Sequence, residues 1–289
     1  MGFSSTRAMI GGGSTLKQGI FAYGGTNVSN KVSTSGVVAT DVSGVGTSRS
    51  YLGGAPYGTD KGIFGYGIGS SSTSVTNLVS NSGVIASDTT GVGTARYGLA
   101  AAGYGNDKAI FGYGTSHYSN LVSSSGVVAT DTSGVGTTRK YLAAATYGTD
   151  KAIFGYGETT TNVSMTNLVN SSGVIASDTS GVGTARRGLA AATYGTDKAI
   201  FGYGKSSDFH AETNLVNSSG VVASDTTGVG TARNGLAACQ YGEDKAIFGY
   251  GGTSSTVSIT NLVSNSGVVS TDTTGVGTAR STLAATSFG

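Results

Sequence analysis

The sequence predicts an all-β protein made of six copies of one short unit. A glycine-rich segment, Asp107-Lys-Ala-Ile-Phe-Gly-Tyr-Gly114, recurs almost letter for letter at 150–157, 197–204 and 244–251, with looser copies at 60–67 and 17–24. No part of the chain has apolar residues at the 3.6-residue spacing of a helix. A unit of about 45 residues is too small to bury a core alone, so the copies must pack on one another.

A second repeated motif, Gly-Val-Gly-Thr-x-Arg, marks the boundaries of the units. It starts at Gly44, Gly91, Gly134, Gly181, Gly228 and Gly275, and Gly2-Phe-Ser-Ser-Thr-Arg7 is a divergent first copy. We therefore expect one domain over residues 1–289, with units 2–43, 44–90, 91–133, 134–180, 181–227 and 228–274 and a closing strand at 275–289.

Residues 94–133 illustrate the strand pattern of one unit. Arg96–Tyr104 is small and apolar and ends in a Gly-Asn-Asp turn, after which Ala109–Gly114 is the second strand. Ser119–Ser125 and Val127–Thr130 are the third and fourth strands. Four short strands in a unit of this length are typical of a propeller blade. The predicted fold is a six-bladed β-propeller of four-stranded blades; a seven-bladed propeller, or one completed by a partner chain, is the alternative.

The opening strand occurs once more than the other strands, because the tail 275–289 repeats it. The tail could take the inner place in the first blade and displace Arg7–Gly13. Alternatively, residues 6–13 hold that place and the tail packs elsewhere, or the tail begins a seventh blade that another chain completes. We favour a closed six-bladed ring.

The composition excludes several classes of function. The 289 residues include 50 glycines and one proline, only 11% are charged, and the formal charge is +2. This low net charge predicts that the protein has no basic surface for binding nucleic acid. No apolar run is long enough for membrane insertion. The single Cys239 excludes an internal disulfide and is expected to be a buried, inert thiol. A low-charge surface of Ser, Thr, Asn and Gly suits a virion or extracellular surface, with a cytoplasmic location as the alternative.

The first half of each unit resembles a kelch repeat. Like kelch units, Arg-x-Gly-Leu-Ala-Ala-Ala-x-Tyr-Gly-x-Asp-Lys-Ala-Ile-Phe-Gly-Tyr-Gly begins with Arg before a strand of small residues and continues through a hairpin to paired glycines. The glycine pair is split by Tyr here, and the Trp usual in the fourth kelch strand is absent. The near-identical copies with Ser/Thr-rich loops also resemble repeat proteins of phage virions. These resemblances imply a propeller that serves as an interaction or virion module.

Two residue types recur at one place in every unit. An Asp follows the fourth strand, and an Arg comes eight residues later. The aspartates are Asp41, Asp88, Asp131, Asp178, Asp225 and Asp272, and the arginines are Arg49, Arg96, Arg139, Arg186, Arg233 and Arg280. We interpret them as a structural ring of ion pairs or turn-capping bonds, because an active site needs asymmetry. A ring of arginines that binds an anionic sugar is the alternative.

Variation between the copies is concentrated in the loop between the second and third strands. Both histidines lie in these loops, and loops on a rigid scaffold commonly carry binding. His117, Tyr118, Phe209 and His210 are therefore the candidate binding residues. They lie in two different units, so a shared metal is not expected, and we predict neither a metal site nor a cofactor.

The sequence shows no catalytic set at unrepeated positions, so the expected function is non-enzymatic. We expect a structural and attachment protein, a phage tail or capsid appendage that docks other virion or surface proteins or binds host-surface glycans. An intracellular kelch-type module for protein–protein interaction is one alternative. A propeller hydrolase or lyase that acts on glycans is the other.

Overall fold

A computed structural model describes residues 16–289, which form strands, bridges and turns and no helix. In chain order the strands are β1 (Gln18–Ala22), β2 (Ser29–Val32), β3 (Gly53–Tyr57), β4 (Lys61–Gly65), β5 (Thr76–Val79), β6 (Ala100–Tyr104), β7 (Lys108–Gly112), β8 (Ser119–Val122), β9 (Ala143–Tyr147), β10 (Lys151–Gly155), β11 (Thr166–Val169), β12 (Ala190–Tyr194), β13 (Lys198–Lys205), β14 (Phe209–Val216), β15 (Ala237–Tyr241), β16 (Lys245–Gly249), β17 (Thr260–Val263) and β18 (Ala284–Phe288).

These strands form six antiparallel three-stranded sheets, so the all-β class and the number of sheets agree with the prediction. Five sheets take their strands from consecutive segments, in the orders β3-β4-β5, β6-β7-β8, β9-β10-β11, β12-β13-β14 and β15-β16-β17. The sixth sheet has the order β18-β1-β2 and joins the two ends of the described chain. Within residues 16–289 there is no helix with the length and apolarity needed to cross a membrane.

The middle strand of each sheet is buried on both faces, which explains its continuous apolar sequence. Successive side chains of a strand point to opposite faces. Ile110 of β7 packs in one cluster with Phe154 of the following sheet, and Phe111 packs in another with Ile63 of the preceding sheet. A β-carbon on Gly112 would lie 2.8 Å from Cζ of Phe154, so the absence of a side chain here lets the neighbouring sheet approach closely. The core is thus six apolar layers between neighbouring sheets.

The turn that joins the first two strands of a sheet follows the prediction. In the third unit, Gly105 and Asn106 have φ values of 58° and 69°. Two consecutive positive φ values are the geometry that favours a tight hairpin between twisted strands.

The predicted fourth strand, Val127–Thr130, is wrong as a strand, and the sheets have three strands. The segment and the residues after it make two isolated bridges with β8, Ser119↔Thr132 and Val122↔Val128, and the N–H of Ala129 donates to the carbonyl of Leu121 at 2.8 Å. Between these bridges β8 advances from 119 to 122 while the edge segment advances from 128 to 132, so the edge segment has one extra residue. An extra residue of this kind interrupts the ladder of backbone hydrogen bonds.

A buried asparagine bridges this interruption. Nδ2 of Asn120 donates to the carbonyl oxygen of Ala129 at 3.0 Å and to Oδ1 of Asp131 at 2.9 Å. The same pair of bonds recurs in the other five sheets from Asn30, Asn77, Asn167, Asn214 and Asn261. The amide side chain therefore adds to the few backbone hydrogen bonds that hold the edge segment against the sheet.

The tail takes the inner place in the sheet of the first unit. Strand β18 pairs with β1 along its whole length, from Ala284↔Ala22 to Phe288↔Gln18. This arrangement is the first of the three that the sequence allowed. Residues 6–13, the alternative occupants of that place, and the divergent copy at 2–7 lie outside the described residues.

The inner strands contact one another in a cycle. Strand β3 contacts β6, and the series continues through β9, β12, β15 and β18 back to β3. These strands are rich in Ala and Gly, and such small residues let neighbouring inner strands lie close together. Each sheet therefore has two neighbours, including the sheet made from both ends of the chain.

Candidate functional site

The six repeated arginines are buried in one repeated set of contacts. Nε of Arg139 donates to the carbonyl of Tyr156 at 2.8 Å, Nη1 to that of Thr137 at 3.2 Å, and Nη2 to Oδ1 of Asn167 at 2.7 Å. Its guanidinium carbon lies 4.6 Å from the ring centroid of Tyr113 in the preceding sheet. The equivalent contacts recur for Arg49, Arg96, Arg186, Arg233 and Arg280. An external anion would have to displace these bonds to reach the arginines.

The aspartate next to each arginine is not the one eight residues before it in the sequence. The carboxylate near Arg139 is that of Asp178, with 3.9 Å between Nη1 and Oδ1. Asp178 also accepts hydrogen bonds from Oγ1 of Thr137 at 2.7 Å and Nδ2 of Asn167 at 2.9 Å. Asp131, eight residues before Arg139, instead lies beside Arg96. Partial burial opposes ionisation of Asp178, but these donors and Arg139 outweigh it and lower the pKa of the carboxyl.

The four candidate binding residues form two separate pairs. His117 and Tyr118 lie in the loop between β7 and β8, with their ring centroids 5.1 Å apart. Phe209 and His210 begin β14, and Nζ of Lys205 lies 4.6 Å from the ring centroid of Phe209. The sheet β9-β10-β11 comes between these two sheets in the cycle, so the pairs do not share a site.

A cavity of about 480 Å³ opens beside the ends at which the inner strands begin. Most of its lining comes from the short segment between the repeated Arg and the inner strand of each unit, Glu158 also lines it, and we call it the mouth. Its rim contains one residue of each unit at positive φ, and the six are Tyr51, Gly98, Tyr141, Gly188, Gly235 and Thr282. We call these six residues the mouth ring.

Backbone hydrogen bonds join the mouth ring into a closed circle. The N–H of each member donates to the carbonyl of the member in the preceding sheet, over 2.6–2.9 Å. The bonds run from Tyr51 to Thr282, Thr282 to Gly235, Gly235 to Gly188, Gly188 to Tyr141, Tyr141 to Gly98 and Gly98 to Tyr51. The rim is thus a rigid support for the side chains that it carries.

Three members of the mouth ring hold a side chain where glycine would be free of strain. The φ values are 54° at Tyr51, 59° at Tyr141 and 60° at Thr282. An L-residue in this region costs about 1 kcal/mol relative to glycine. Glycine occupies the same position in the other three units, so the fold does not require the larger residues. Strain of this kind often marks a functional position.

Tyr51 and Tyr141 line one side of the mouth, and Tyr97 packs beside them. The ring centroids of Tyr51 and Tyr141 are 5.0 Å apart, and that of Tyr97 lies 6.1 Å from the first and 6.4 Å from the second. Burial is the main cause that raises the pKa of Tyr141 to about 12, and the neighbouring Tyr51 and Tyr97 add to it. This hydroxyl therefore remains protonated at neutral pH and can donate a hydrogen bond.

Charged residues complete the lining beside the tyrosines. Arg187 forms an ion pair with Glu158, and both are partly exposed. Nζ of Lys140 lies 5.2 Å from the ring centroid of Tyr141. The mouth therefore combines aromatic faces with two cations and one carboxylate, and it differs around its circumference although the scaffold repeats.

Sequence reasoning missed this site because it placed the variation only in the loops. The two residues after each repeated Arg also differ from copy to copy. They are Ser50-Tyr51, Tyr97-Gly98, Lys140-Tyr141, Arg187-Gly188, Asn234-Gly235 and Ser281-Thr282. Comparison of the copies at this pair would have identified the mouth.

The remaining candidate groups do not add a metal site. Among residues 16–289 no group of three or more His, Cys, Asp or Glu side chains could hold a metal ion. Cys239 is buried, and desolvation raises the pKa of its thiol to about 12.

A comparison with known protein families finds no family model that matches the chain, and a comparison with curated proteins finds no match. The resemblance to kelch and phage repeats therefore depends on the residues alone.

Proposed function

We propose that the six sheets are the blades of a closed six-bladed β-propeller, and that the protein is a structural and attachment component of a virion, such as a phage tail or capsid appendage, which binds host-surface glycans at the mouth. The observation that carries this proposal is the cluster of Tyr51, Tyr97 and Tyr141 beside the pair Arg187–Glu158, on a scaffold that otherwise repeats.

Closure into a propeller is supported by two circles of hydrogen bonds at opposite ends of the inner strands. The mouth ring is the first. In the second, the backbone N–H of the glycine directly after each inner strand donates to a carbonyl of a neighbouring sheet over 2.7–2.9 Å. These bonds run from Gly58 to Asp107, Gly105 to Asp150, Gly148 to Asp197, Gly195 to Asp244, Gly242 to Lys17 and Gly289 to Asp60.

Glycan binding follows from the chemistry of the mouth. A sugar ring has an apolar face of C–H groups and a rim of hydroxyls. Tyrosine offers a flat apolar surface with a polar end, which suits such a ligand. The guanidinium of Arg187 and the ammonium of Lys140 can bind a carboxylate on the sugar. Glu158 can accept hydrogen bonds from the hydroxyls of the sugar. Two cations against one carboxylate favour an acidic saccharide.

Docking to other subunits is supported by a repeated apolar feature on the outer edge. Each edge segment exposes one valine, 60–66% accessible, and the six are Val37, Val84, Val127, Val174, Val221 and Val268. An exposed valine occurs once in each of the six units. A partner with six-fold symmetry could therefore contact all six valines.

A glycan array with matched variants tests the binding. We expect the protein to bind acidic oligosaccharides and Tyr97→Ala to weaken the binding at least tenfold. Tyr118→Ala removes an aromatic residue outside the mouth and serves as the control, with no expected effect. An array without bound glycans, or an equal loss in both variants, would overturn the proposed site.

Electron microscopy of the native assembly tests the virion role. We expect six-bladed discs at defined positions on a particle. Free discs attached to nothing would argue against a virion component and favour a separate binding module.

A further inference from the structure

The hairpin of β13 and β14 carries three side chains joined by two hydrogen bonds. Oγ of Ser206 lies 2.6 Å from Nε2 of His210. Nδ1 of the same imidazole lies 3.0 Å from Oε2 of Glu212. His210 is 14% exposed and Glu212 is 37% exposed, so the imidazole is shielded while the carboxylate reaches the surface.

The register of the hairpin explains why these groups meet. His210 and Glu212 are two residues apart in β14, so their side chains point to the same face. Ser206 directly follows Lys205, which pairs with Phe209 across the hairpin. The turn therefore places the side chain of Ser206 next to the imidazole of His210.

The turn itself does not need these side chains. The bond from N of Ser206 to the carbonyl of Asp208, 2.9 Å long, recurs at the same place in three other loops. Those bonds run from Gly69 to Ser71, Thr159 to Thr161 and Thr253 to Ser255. In these loops the position of His210 holds Thr73, Val163 and Val257, and that of Glu212 holds Val75, Met165 and Ile259. His210 and Glu212 are thus additions to a loop that forms without them.

The hydrogen bonds determine which ring nitrogen of His210 carries the proton. Burial opposes ionisation of Glu212, but hydrogen bonds from its own backbone N–H and from His210 outweigh it and lower the pKa of the carboxyl. An ionised carboxylate only accepts, so Nδ1 of His210 carries the proton. In the neutral imidazole Nε2 then accepts, and the hydroxyl of Ser206 donates to it.

We propose that Ser206, His210 and Glu212 form an acyl-transfer site that hydrolyses esters. Oγ of Ser206 attacks the ester carbonyl carbon while its proton passes to Nε2 of His210. The bond from the carbonyl carbon to the alcohol oxygen breaks, and the alcohol leaves with the proton from His210. Water, deprotonated by the same imidazole, then attacks the acyl carbon. The bond from this carbon to Oγ breaks, Oγ of Ser206 takes back the proton from Nε2 of His210, and the acid is released. Glu212 acts as the positioning residue, because it orients the imidazole without contact with the substrate.

Two features of the hairpin suit this reaction. The backbone N–H groups of Ser207 and Asp208 form no hydrogen bond within residues 16–289, so both are available to the oxygen of a bound ester. Lys205, next to Ser206, forms two backbone hydrogen bonds with Arg187 of the mouth, at 2.8 and 3.0 Å. The site therefore lies beside the mouth, which favours an ester group on a saccharide; this choice of substrate rests on the proposed function.

The test uses the full chain with a fluorophosphonate probe and p-nitrophenyl acetate. We expect a covalent adduct at Ser206, located by mass spectrometry, and hydrolysis of the acetate ester. Ser206→Gly and His210→Val place residues of the sister loops at these positions, so both variants should fold. We expect each to lower labelling and hydrolysis at least 100-fold with an unchanged melting temperature. Thr253→Ala alters the equivalent hydroxyl of the sixth unit and should change neither readout.

The role of Glu212 is tested by Glu212→Gln and Glu212→Asp. We expect Gln to slow hydrolysis through kcat with little change in KM, and Asp to restore part of the rate. No adduct at Ser206, or full hydrolysis by Ser206→Gly, would overturn the proposal. Labelling of Ser206 in a protein that binds no glycan on the array would leave this site standing while the proposed function fails, so the two failures are distinguishable.

Discussion

A β-carbon on Gly62 would lie 2.5 Å from Cγ2 of Thr286, so these two residues fit together only because position 62 has no side chain. In the interfaces farther from the closing sheet the corresponding pair is Ala with Ala, as for Ala109 and Ala55 in one apolar cluster. Thr286 belongs to the last strand of the chain, and Gly62 belongs to the second unit. The larger residue of the tail is therefore matched by a smaller residue in the sheet that it contacts.

The interface on the other side of the closing sheet shows the same compensation. A β-carbon on Gly19 would lie 2.5 Å from Sγ of Cys239, where the other units have Ala. In both pairs a residue larger than alanine faces a glycine. These matched sizes support closure by the tail independently of the hydrogen bonds.

We expect Gly62→Ala to lower the free energy of unfolding by about 1–3 kcal/mol, because the new methyl group overpacks against Thr286. The double variant Gly62→Ala/Thr286→Ala recreates the Ala–Ala pair and should recover most of that loss. Urea unfolding of the four proteins of the cycle measures the coupling. Gly252→Ala is the control, since its β-carbon would meet no atom closer than 3.6 Å. If the loss of unfolding free energy in the double variant equalled the sum of the two single losses, positions 62 and 286 would not be in contact, which would contradict closure by the tail.

The sequence predicted the all-β class, the six sheets and the hairpin turns, because these depend on local residues that recur at a fixed spacing. It did not predict the loss of the fourth strand, because the extra residue of the edge segment becomes visible only from the bridges that Ser119 and Val122 make. It left closure open because an opening strand was present at both ends of the chain. The size compensation at Gly62 was visible as a departure from Ala, but its partner could be identified only from the structure.

The candidate sites were harder to predict, for a geometric reason. The mouth combines one short segment from each of six units, and nothing in chain order shows that Tyr51 and Tyr141 converge. The sequence did single out His210, but not Ser206 and Glu212, because a serine in a Ser-rich loop and one carboxylate are unremarkable until the hairpin register is known.

We expect Arg280→Ala and Arg139→Ala to destabilise the protein equally, by about 3 kcal/mol each. Both arginines have the same buried partners, although Arg280 reaches Asn30 across 250 residues of chain. Thermal and urea unfolding would compare them with Lys108→Ala, which removes only an exposed ion pair and should cost at most about 0.5 kcal/mol. A small effect of Arg280→Ala beside a large effect of Arg139→Ala would mean that the tail does not close the ring in solution.

We expect stability to fall in acid as the repeated aspartates become protonated. Donors from Thr, Asn and the backbone outweigh burial and lower the pKa of Asp41, Asp88, Asp131, Asp178, Asp225 and Asp272. A carboxyl with a lower pKa in the folded state adds stability above its unfolded pKa of about 3.9 and loses it as pH falls through the folded pKa.

Urea unfolding between about pH 5 and pH 2 measures this effect, because the slope of stability against pH reports the difference in bound protons. Asp131→Asn should make the slope shallower. Asp107→Asn, which alters a carboxylate 3.6 Å from the exposed Lys108, is the control. Constant stability over this range would show that the ring aspartates are not linked to folding.

At the mouth, we expect Tyr141→Gly to be more stable than Tyr141→Ala by about 1 kcal/mol, because φ is 59° and glycine adopts this region without strain. Both variants should lose glycan binding, since both remove the ring that packs 5.0 Å from Tyr51. Tyr97 is the reciprocal control: its φ is not positive, so Tyr97→Ala should be more stable than Tyr97→Gly. Chemical unfolding and glycan binding of the four variants separate the two effects. If Tyr141→Gly kept its affinity, the strained tyrosine would have no role in binding.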